Sequence, residues 1–358
     1  MAQIKVLILY RGKLSEPRGT PIRVSHFVSR LASHPTLDLS VFSWDKIPPV
    51  DGKYFYLDNN HVKDIKKICA YIKKNHIQVV IGYIASSLYY LIPIKLLTGV
   101  KIIYESQGFI EEEARAYGDI GFLKYYFFKI LFGASYWMCD TIVTSEGPHT
   151  IKKFLKYNKN TVDLYGGVDL SVFSPDVSHG VYIKKDSKII IGYAGNARVW
   201  QGLDFLVDSY GKISSESDDF RLALALSEKR EYDRSIEVVG PLPNNEVPKF
   251  MIDCDILVIP RPDMPAMRYA VSGKLIEYLG MGKAIIVSNV GDVEKVITHG
   301  VNGLIYTAGD MNEFIKCIFL LRNKKKRDYL GANALKTAQD YTWDKLAIRL
   351  IDEVHKLT

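Results

Sequence analysis

The sequence predicts an α/β protein with two doubly wound parallel-sheet domains. Short apolar runs alternate with helical patterns along the whole chain, and each run is apolar throughout instead of alternating with polar residues. Such strands are buried on both faces, as in parallel sheets covered by helices. The pattern lapses over residues 169–188, where Ser, Pro, Gly and Lys accumulate, and then a fresh strand begins. We therefore expect two domains with a cleft between them.

The predicted strands form two series. The first series comprises residues 4–10, 37–44, 79–83, 101–105 and 141–145. The second comprises residues 189–194, 221–226, 236–240, 256–260, 284–288 and 304–307. These series predict a first domain over residues 1–170 and a second over residues 171–339. Residues 340–358 predict a final amphipathic helix with an apolar set of Trp343, Leu346, Ile348, Leu350, Ile351 and Val354.

Composition is that of an ordinary globular protein of 358 residues, 47% hydrophobic and 24% charged. Its four cysteines lie far apart without a CxxC pair, which indicates neither a disulfide framework nor a zinc site. The first residues do not resemble a signal peptide. No apolar stretch approaches the roughly 20 residues that cross a bilayer. We expect a cytoplasmic protein.

Charge is unevenly distributed. The net charge of +7 lies entirely in residues 1–170, which hold 22 Lys and Arg against 15 Asp and Glu. This surplus favours an anionic partner, although no RNA- or DNA-binding motif supports nucleic acid. Residues 122–132 are rich in aromatics with two lysines, so a peripheral contact with an anionic membrane is one interpretation. We favour a buried helix instead, because the run is apolar around much of its circumference.

Ligands of doubly wound sheets bind beyond the carboxyl ends of the strands, so the loops there are candidate sites. Gly19 and Thr20 precede a predicted helix and would suit an anion. A loop over residues 195–202 and Arg261 follow two strands of the second series. The last candidate is a helix that begins near Gly273.

That helix carries Lys274 and Glu277, which are three residues apart and share one face. Gly273 leaves room for a phosphate at the positive end of the helix dipole. A carboxylate one turn further on could accept the hydroxyls of a ribose. The alternative is an exposed Lys–Glu pair of little energetic value.

Three further stretches resemble motifs of one family. Residues 165–175 are similar to the motif N-G-V-D-x-x-x-F-x-P, residues 239–248 to a base-binding loop, and residues 104–112 to a loop near the transferred sugar. Together with the Lys274 helix, they make the chain resemble the retaining glycosyltransferases of family 4. The resemblance covers nearly the whole chain and implies the GT-B fold of two facing Rossmann-like domains with a central cleft. It also implies that the first domain binds the acceptor, that the second binds the nucleotide sugar, and that the helix over residues 340–358 packs back on the first domain.

The resemblance also implies roles for residues of the second domain. Glu277 matches the glutamate that binds the ribose, whereas Tyr269 stands where the family has another glutamate. Lys274, Arg261 and Arg198 would replace the cations that the family usually has in its diphosphate-binding loop. Nucleotide-sugar binding is further assigned to Ser272, Gly273, Gly195, Asn196, Gln201, Gly240, Pro241 and Leu242.

The first domain is expected to supply a phosphate or acceptor loop. Glu105 is assigned to the catalytic group with Lys274 and Arg261, and the loop residues are Gly19, Thr20, Gln107 and Glu111. Each of the three first-domain residues Glu105, Gln107 and Glu111 has the alternative of an exposed residue beside a helix.

The implied activity is metal-independent transfer of a sugar, with retention, from a nucleotide-diphosphate sugar to a glycan acceptor. The acceptor is expected to be lipid-diphosphate-linked, in surface polysaccharide synthesis at the inner face of the cell membrane. No cofactor and no metal are expected; Asp253 and Asp255 have the D-x-D spacing of metal-dependent transferases, but need not converge. A nucleotide-sugar 2-epimerase and a non-catalytic nucleotide-sugar binder remain alternatives.

Overall fold

The protein divides into two compact units in a computed structural model. The structure describes residues 3–16, 19–45, 53–116, 118–145, 147–183, 186–264 and 272–358. Unit 1 comprises Met1–Tyr165 and Trp343–Thr358, and unit 2 comprises Gly166–Thr342. Each unit is built around one parallel sheet with helices on its faces.

Unit 1 contains a seven-stranded sheet in the order β3-β2-β1-β4-β5-β6-β7. Its strands are β1 (Ile4–Tyr10), β2 (Leu37–Ser43), β3 (Lys53–Tyr56), β4 (Val79–Tyr83), β5 (Lys101–Ser106), β6 (Thr141–Thr144) and β7 (Thr161–Asp163). Its helices are α1 (Gly19–Ala32), α2 (His61–Asn75), α3 (Ala85–Thr98), α4 (Ile110–Ala116), α5 (Phe122–Met138), α6 (Pro148–Phe154) and the final helix α12 (Trp343–Leu357).

Unit 2 contains a six-stranded sheet in the order β10-β9-β8-β11-β12-β13. Its strands are β8 (Ile189–Gly195), β9 (Phe220–Leu226), β10 (Ile236–Val239), β11 (Ile256–Ile259), β12 (Ala284–Ser288) and β13 (Leu304–Tyr306). Its helices are α7 (Leu203–Glu216), α8 (Val247–Asp253), α9 (Gly273–Gly280), α10 (Met311–Leu320) and α11 (Lys324–Ala338).

The predicted fold class is confirmed. Central strands such as β4 and β12 are buried along their whole length, as their uninterrupted apolar sequences require. The sequence did not predict β3 and β7. Both are short edge strands whose residues are at most partly buried, so they lack the apolar run that marks the others.

Strand order reverses once in each sheet. In unit 1 the chain runs outward from β1 to β3 and then returns to β4 on the other side of β1. In unit 2 it runs outward from β8 to β10 and returns to β11 beside β8. Adjacent crossovers on opposite faces leave a crevice beyond the carboxyl ends of these strands, where such sheets bind ligands.

Helix α12 belongs to unit 1, where Trp343, Leu346, Leu350 and Val354 join the core formed with β1, β2 and α1. Ile348 was predicted to be part of this apolar set, and that prediction is wrong. Its side chain is 54% exposed, because a residue two positions from Leu346 and Leu350 faces away from them on a helix.

Helix α5 also differs from expectation. Phe132 and Tyr136 are buried against the rest of unit 1, whereas its outward face exposes several large apolar side chains. The prediction that residues 122–132 are buried is therefore wrong for that face. Within the described ranges, no helix has both the length and the apolarity needed to cross a membrane.

The packing of α12 predicts that substitutions at Leu350 and Ile348 change the free energy of unfolding by different amounts. Leu350→Ala removes a fully buried side chain and should lower the free energy of unfolding by about 2–5 kcal/mol. Ile348→Ala removes an exposed side chain and should change it by less than about 0.5 kcal/mol. Urea denaturation of both variants measures the difference. Equal effects would contradict the assigned orientation of α12.

Candidate functional site

Lys274 is held at the carboxyl end of β8. Its Nζ donates hydrogen bonds to the Tyr193 hydroxyl at 3.0 Å and to the Gln201 Oε1 at 3.1 Å. The same ammonium lies 4.5 Å from the centroid of the Tyr193 ring, within cation–π range. Tyr193 belongs to β8 and Gln201 to a short 3-10 turn after it. The amine of α9 is thus fixed beside the crevice where the strand order of unit 2 reverses.

Two glycines make this arrangement possible. A Cβ added at Gly195 would lie 2.0 Å from the Lys274 Nζ, and the φ of Gly195 is +150°. At Gly202, with φ +72°, a Cβ would lie 1.7 Å from the Pro260 carbonyl oxygen. Gly195 therefore makes room for the lysine, and Gly202 lets the loop after β8 approach the end of β11.

Helix α9 is anchored to the sheet by its apolar face. Leu275, Ile276 and Leu279 are buried in the core of unit 2. The Tyr278 hydroxyl accepts a hydrogen bond from the Ala194 backbone N–H at 2.9 Å. Because α9 is fixed to β8 in this way, the rotation of the helix and the position of its polar residues are set.

The N-terminus of α9 is open as far as the described residues show, which begin again at Ser272. Ser272 is the N-cap residue, and its side chain makes no capping hydrogen bond. A Cβ added at Gly273 would meet no atom of a described residue within 4 Å. The backbone N–H groups of a first helical turn lack intrahelical partners and carry the positive end of the dipole. This end of α9 can therefore accept an anion.

Lys274 and Glu277 do not form the exposed ion pair considered as an alternative. The lysine turns to Tyr193 and Gln201, and no ion pair of Glu277 is found among the described residues. Burial, assisted by Arg261, lowers the pKa of Lys274 to about 7. Burial raises the pKa of Glu277 to about 7, with Lys274 opposing the shift. Both groups therefore titrate near neutrality, as functional groups in clefts often do.

The two arginines occupy different environments. Arg261 follows β11, and its charge helps to depress the pKa of Lys274, so it adds positive potential at the site. Arg198 is exposed and its guanidinium lies 5.0 Å from the centroid of the Trp200 ring. Arg261 thus adds charge near Lys274, whereas Arg198 stacks on Trp200.

The rest of the loop after β8 is fixed by hydrogen bonds. The Asn196 carbonyl accepts the Tyr193 hydroxyl at 2.6 Å, and Glu228 accepts the Ala197 N–H at 2.5 Å. Asn196 therefore contributes its backbone to the position of Tyr193. Tyr193 and Glu228 were missed from the sequence. Tyr193 alone carried a signal, since it lies two residues before Gly195 in β8 and so on the same face of the strand.

The predicted base-binding loop follows β10, two strands away from β8. Gly240 and Pro241 are exposed, and Leu242 packs against the core of unit 2. Gly240 has φ +113°, and a Cβ there would lie 2.4 Å from the Leu226 carbonyl oxygen. Tyr269 lies outside the described residues, so the prediction made for it stays a prediction.

In unit 1 the predicted loop residues Thr20 and Gln107 come together. The Thr20 hydroxyl, in the first turn of α1, donates to the Gln107 Oε1 at 2.6 Å. Gly19 starts α1, and a Cβ added there would meet no atom within 4 Å in the part of the chain that the structure describes. Glu111, on α4, is almost fully buried, and burial raises its pKa to about 7.

Glu105 lies inside unit 1 instead of at its surface. Its Oε1 accepts the Arg23 Nε–H at 2.7 Å, and both side chains are buried. Burial raises the pKa of Glu105, and the Arg23 charge opposes this. Arg23 also donates to the Leu164 carbonyl at 2.8 Å, so the pair ties β5 to α1 and to the end of the sheet. The catalytic role assigned to Glu105 stays a prediction.

Asp253 and Asp255 point to separate partners. Asp253 Oδ1 lies 2.5 Å from the His179 Nδ1. Asp255 accepts the Ile190 N–H at 2.9 Å and lies 3.5 Å from Arg327. Both carboxylates therefore take part in contacts that join elements of unit 2.

The confinement of Lys274 predicts the behaviour of a Gly195→Ala variant. A methyl group at this position must push the amine away from Tyr193 and Gln201 toward solvent, so the Lys274 pKa should rise from about 7 toward its ordinary value. Reaction of Lys274 with acetic anhydride as a function of pH, followed by mass spectrometry, measures this. Gly211→Ala, with open space around it on α7, is the matched control. An unchanged Lys274 titration in Gly195→Ala would contradict the geometry.

Comparison with known proteins places this site within a known domain. Residues 188–323 match the family described as glycosyl transferases group 1. The uncharacterized glycosyltransferase MJ1178 of Methanocaldococcus jannaschii is 24% identical over 214 residues, which cover 53% of this chain and 54% of that protein. The chain spans about half the length of the curated relatives it matches.

Solved structures match along nearly the whole chain. Sucrose-phosphate synthase from Thermosynechococcus elongatus is similar with a TM-score of 0.78 at 14% identity, over 99% of each chain. Anabaena Alr3699/HepE in complex with UDP has a TM-score of 0.69 at 12% identity, over 99% of this chain and 100% of that one. At these identities the likeness shows the fold. Residues 188–323 form a glycosyl transferases group 1 domain, in a chain whose two parallel-sheet units match glycosyltransferase structures of the GT-B fold.

Proposed function

We propose that this chain is a retaining, metal-independent glycosyltransferase that moves a sugar from a nucleotide-diphosphate sugar to a hydroxyl of a glycan acceptor. The observation that carries the proposal is the Lys274 amine, fixed by Tyr193 and Gln201 at the crevice where the strand order of unit 2 reverses. The open N-terminus of α9 lies next to it in the sequence, and Glu277 follows one helical turn later.

These groups suit the parts of a nucleotide sugar. The diphosphate is placed at the first turn of α9, where backbone N–H groups, Lys274 and Arg261 supply positive charge. The ribose hydroxyls are placed at Glu277, and the base at the loop of Gly240 and Leu242. Solved complexes of the structural neighbour Alr3699/HepE with UDP and with UDP-glucose support a nucleotide-sugar ligand of this kind.

The proposed chemistry is a substitution at the anomeric carbon with retention of configuration. The bond between the anomeric carbon and the diphosphate oxygen breaks, the acceptor oxygen bonds to the anomeric carbon on the same face, and the acceptor proton passes to the departing phosphate oxygen. Negative charge then grows on the diphosphate. Lys274, Arg261 and the α9 N-terminus are aimed at this charge and would stabilise the transition state. The proposal includes no metal and no resident cofactor.

The acceptor is proposed to be a lipid-diphosphate-linked glycan of surface polysaccharide synthesis, taken up at the inner face of the cell membrane. The carboxyl-end loops of unit 1 offer it polar groups, with Thr20 and Gln107 joined by a hydrogen bond. Glu111 lies on the helix that follows these loops, and its burial keeps part of its carboxyl protonated near neutral pH. Because the Glu111 side chain is 3% exposed, its contact with a sugar hydroxyl stays a prediction from the sequence.

Donor binding and turnover test the proposal. The protein, in EDTA, is incubated with UDP-glucose, GDP-mannose, ADP-glucose and dTDP-glucose, and both thermal stabilisation and release of nucleoside diphosphate are measured. One donor should stabilise the wild type and be slowly hydrolysed. Lys274→Ala and Glu277→Ala should each weaken binding about 10- to 100-fold, as expected for charged hydrogen-bond partners.

Lys316→Ala is the matched control, because Lys316 is exposed on α10. It should bind the donor like the wild type. Binding without release of nucleoside diphosphate, even with added glycan acceptors, would favour a non-catalytic binder. Interconversion of sugar isomers would indicate a 2-epimerase. No stabilisation by any donor would contradict the assigned site.

The two pKa values near 7 predict a pH optimum for nucleotide binding. Above pH 7 the free Lys274 amine loses the positive charge that attracts the diphosphate. Below pH 7 Glu277 becomes protonated and a weaker acceptor for the ribose hydroxyls. Affinity for UDP, measured calorimetrically from pH 5.5 to 9, should therefore peak near neutrality.

Each limb of this profile has its own test. Lys274→Met should abolish the loss of affinity above pH 7. Glu277→Gln should reduce the loss below pH 7 to the part caused by protonation of the terminal UDP phosphate, whose second pKa is about 6. An alkaline limb that persists in Lys274→Met would show that another group titrates there.

A further inference from the structure

Helix α5 presents an uncovered apolar stripe to solvent. Leu123, Phe127, Ile130 and Trp137 are 84%, 63%, 73% and 76% exposed. Their spacings of four, three and seven residues place them on one face of the helix. Phe122 and Tyr126 extend the stripe at its N-terminal end, and both are exposed. We call the residues Phe122, Leu123, Tyr126, Phe127, Ile130 and Trp137 the α5 face.

The α5 face is held rigidly by the buried side of the helix. Phe132 and Tyr136 pack into the core of unit 1, and the Phe132 ring lies 5.7 Å from that of Tyr89 on α3. A Cβ added at Gly133 would lie 3.0 Å from the Tyr157 ring, so α5 lies close to the segment after α6. Since the helix is fixed on this side, its apolar side chains cannot turn inward.

Positive charge borders the α5 face. Helix α5 contains two lysines and no acidic residue, and Lys124 is exposed. Trp137 borders a shallow surface depression together with Leu155, Lys156 and Lys159. Lys156 and Lys159 are exposed, and neither forms an ion pair with a described residue. Asp140, in the same depression, is neutralised by ion pairs with Lys95 and Lys101.

We infer that unit 1 docks through the α5 face onto a membrane surface that contains anionic lipid. Large apolar and aromatic side chains on a fixed helix can enter the boundary between headgroups and acyl chains. Lysines at the edge of the α5 face would lie near the lipid phosphates, and each would add electrostatic attraction to the membrane surface. Association with a second copy is disfavoured, because a symmetric contact would bring these lysine-bordered faces together.

The docking concerns unit 1 and does not depend on the donor site of unit 2. Failure of docking would leave the transferase proposal untouched, and loss of transferase activity would leave docking untouched. If both hold, the α5 face would keep the enzyme at the surface from which a lipid-linked acceptor is taken.

Vesicle flotation of the full chain tests the inference. The wild type should float with vesicles of 70% phosphatidylcholine and 30% phosphatidylglycerol, and much less with phosphatidylcholine alone. The triple variant Leu123→Ser, Phe127→Ser, Ile130→Ser should reduce the partition coefficient at least tenfold. Lys156→Gln and Lys159→Gln should each reduce it about fivefold at low salt. Ile348→Ser, at an exposed apolar residue elsewhere in unit 1, should float like the wild type.

Trp137 provides a second measurement of the same contact. Its fluorescence should shift to shorter wavelength when the anionic vesicles are added, and Trp137→Phe should lose this shift while still floating. Flotation of the triple variant equal to that of the wild type would overturn the inference, and so would a wild type that binds neither vesicle. A dimer in analytical ultracentrifugation that the triple variant abolishes, without flotation of the wild type, would assign the face to a second copy instead.

Discussion

The position of one amine organises the candidate site of this protein. Lys274 reaches the end of β8 because Gly195 has no side chain to obstruct it, and Tyr193 and Gln201 then accept its hydrogen bonds. Three separate segments are therefore fixed relative to one another by a single charged group. Burial of that group depresses its pKa, so an anionic ligand would both satisfy the amine and restore its charge.

The fold explains why this amine lies where a ligand can reach it. The strand order of unit 2 reverses between β8 and β11, and the loops after these strands diverge to opposite faces of the sheet. Helix α9 supplies Lys274, Glu277 and an open N-terminus from one short element, because its other face is anchored by Leu275, Ile276 and Tyr278. In a nucleotide sugar the diphosphate is bonded to the ribose. On α9 the groups proposed to bind them, Lys274 with the helix N-terminus and Glu277, are likewise one turn apart.

Uninterrupted apolar runs were sufficient to predict the central strands, and helical spacing was sufficient to predict the helix of Lys274 and Glu277. Both are local patterns of the sequence. The partners of Lys274 are 81 and 73 residues away in the chain, so their contact depends on the packing of the sheet. The buried ion pair of Arg23 and Glu105 was missed for the same reason. Composition also could not decide the exposure of α5, since a buried helix and a membrane-facing helix use the same side chains.

Comparing uridine with UDP tests most directly whether Lys274 binds the diphosphate and Glu277 the ribose. Isothermal titration calorimetry at pH 7 would measure both ligands against the wild type, Lys274→Met and Glu277→Gln. Lys274→Met should weaken UDP binding about 10- to 100-fold and leave uridine binding unchanged, whereas Glu277→Gln should weaken both by the same factor. Equal binding of UDP by Lys274→Met and the wild type would contradict the assignment of this amine to the diphosphate.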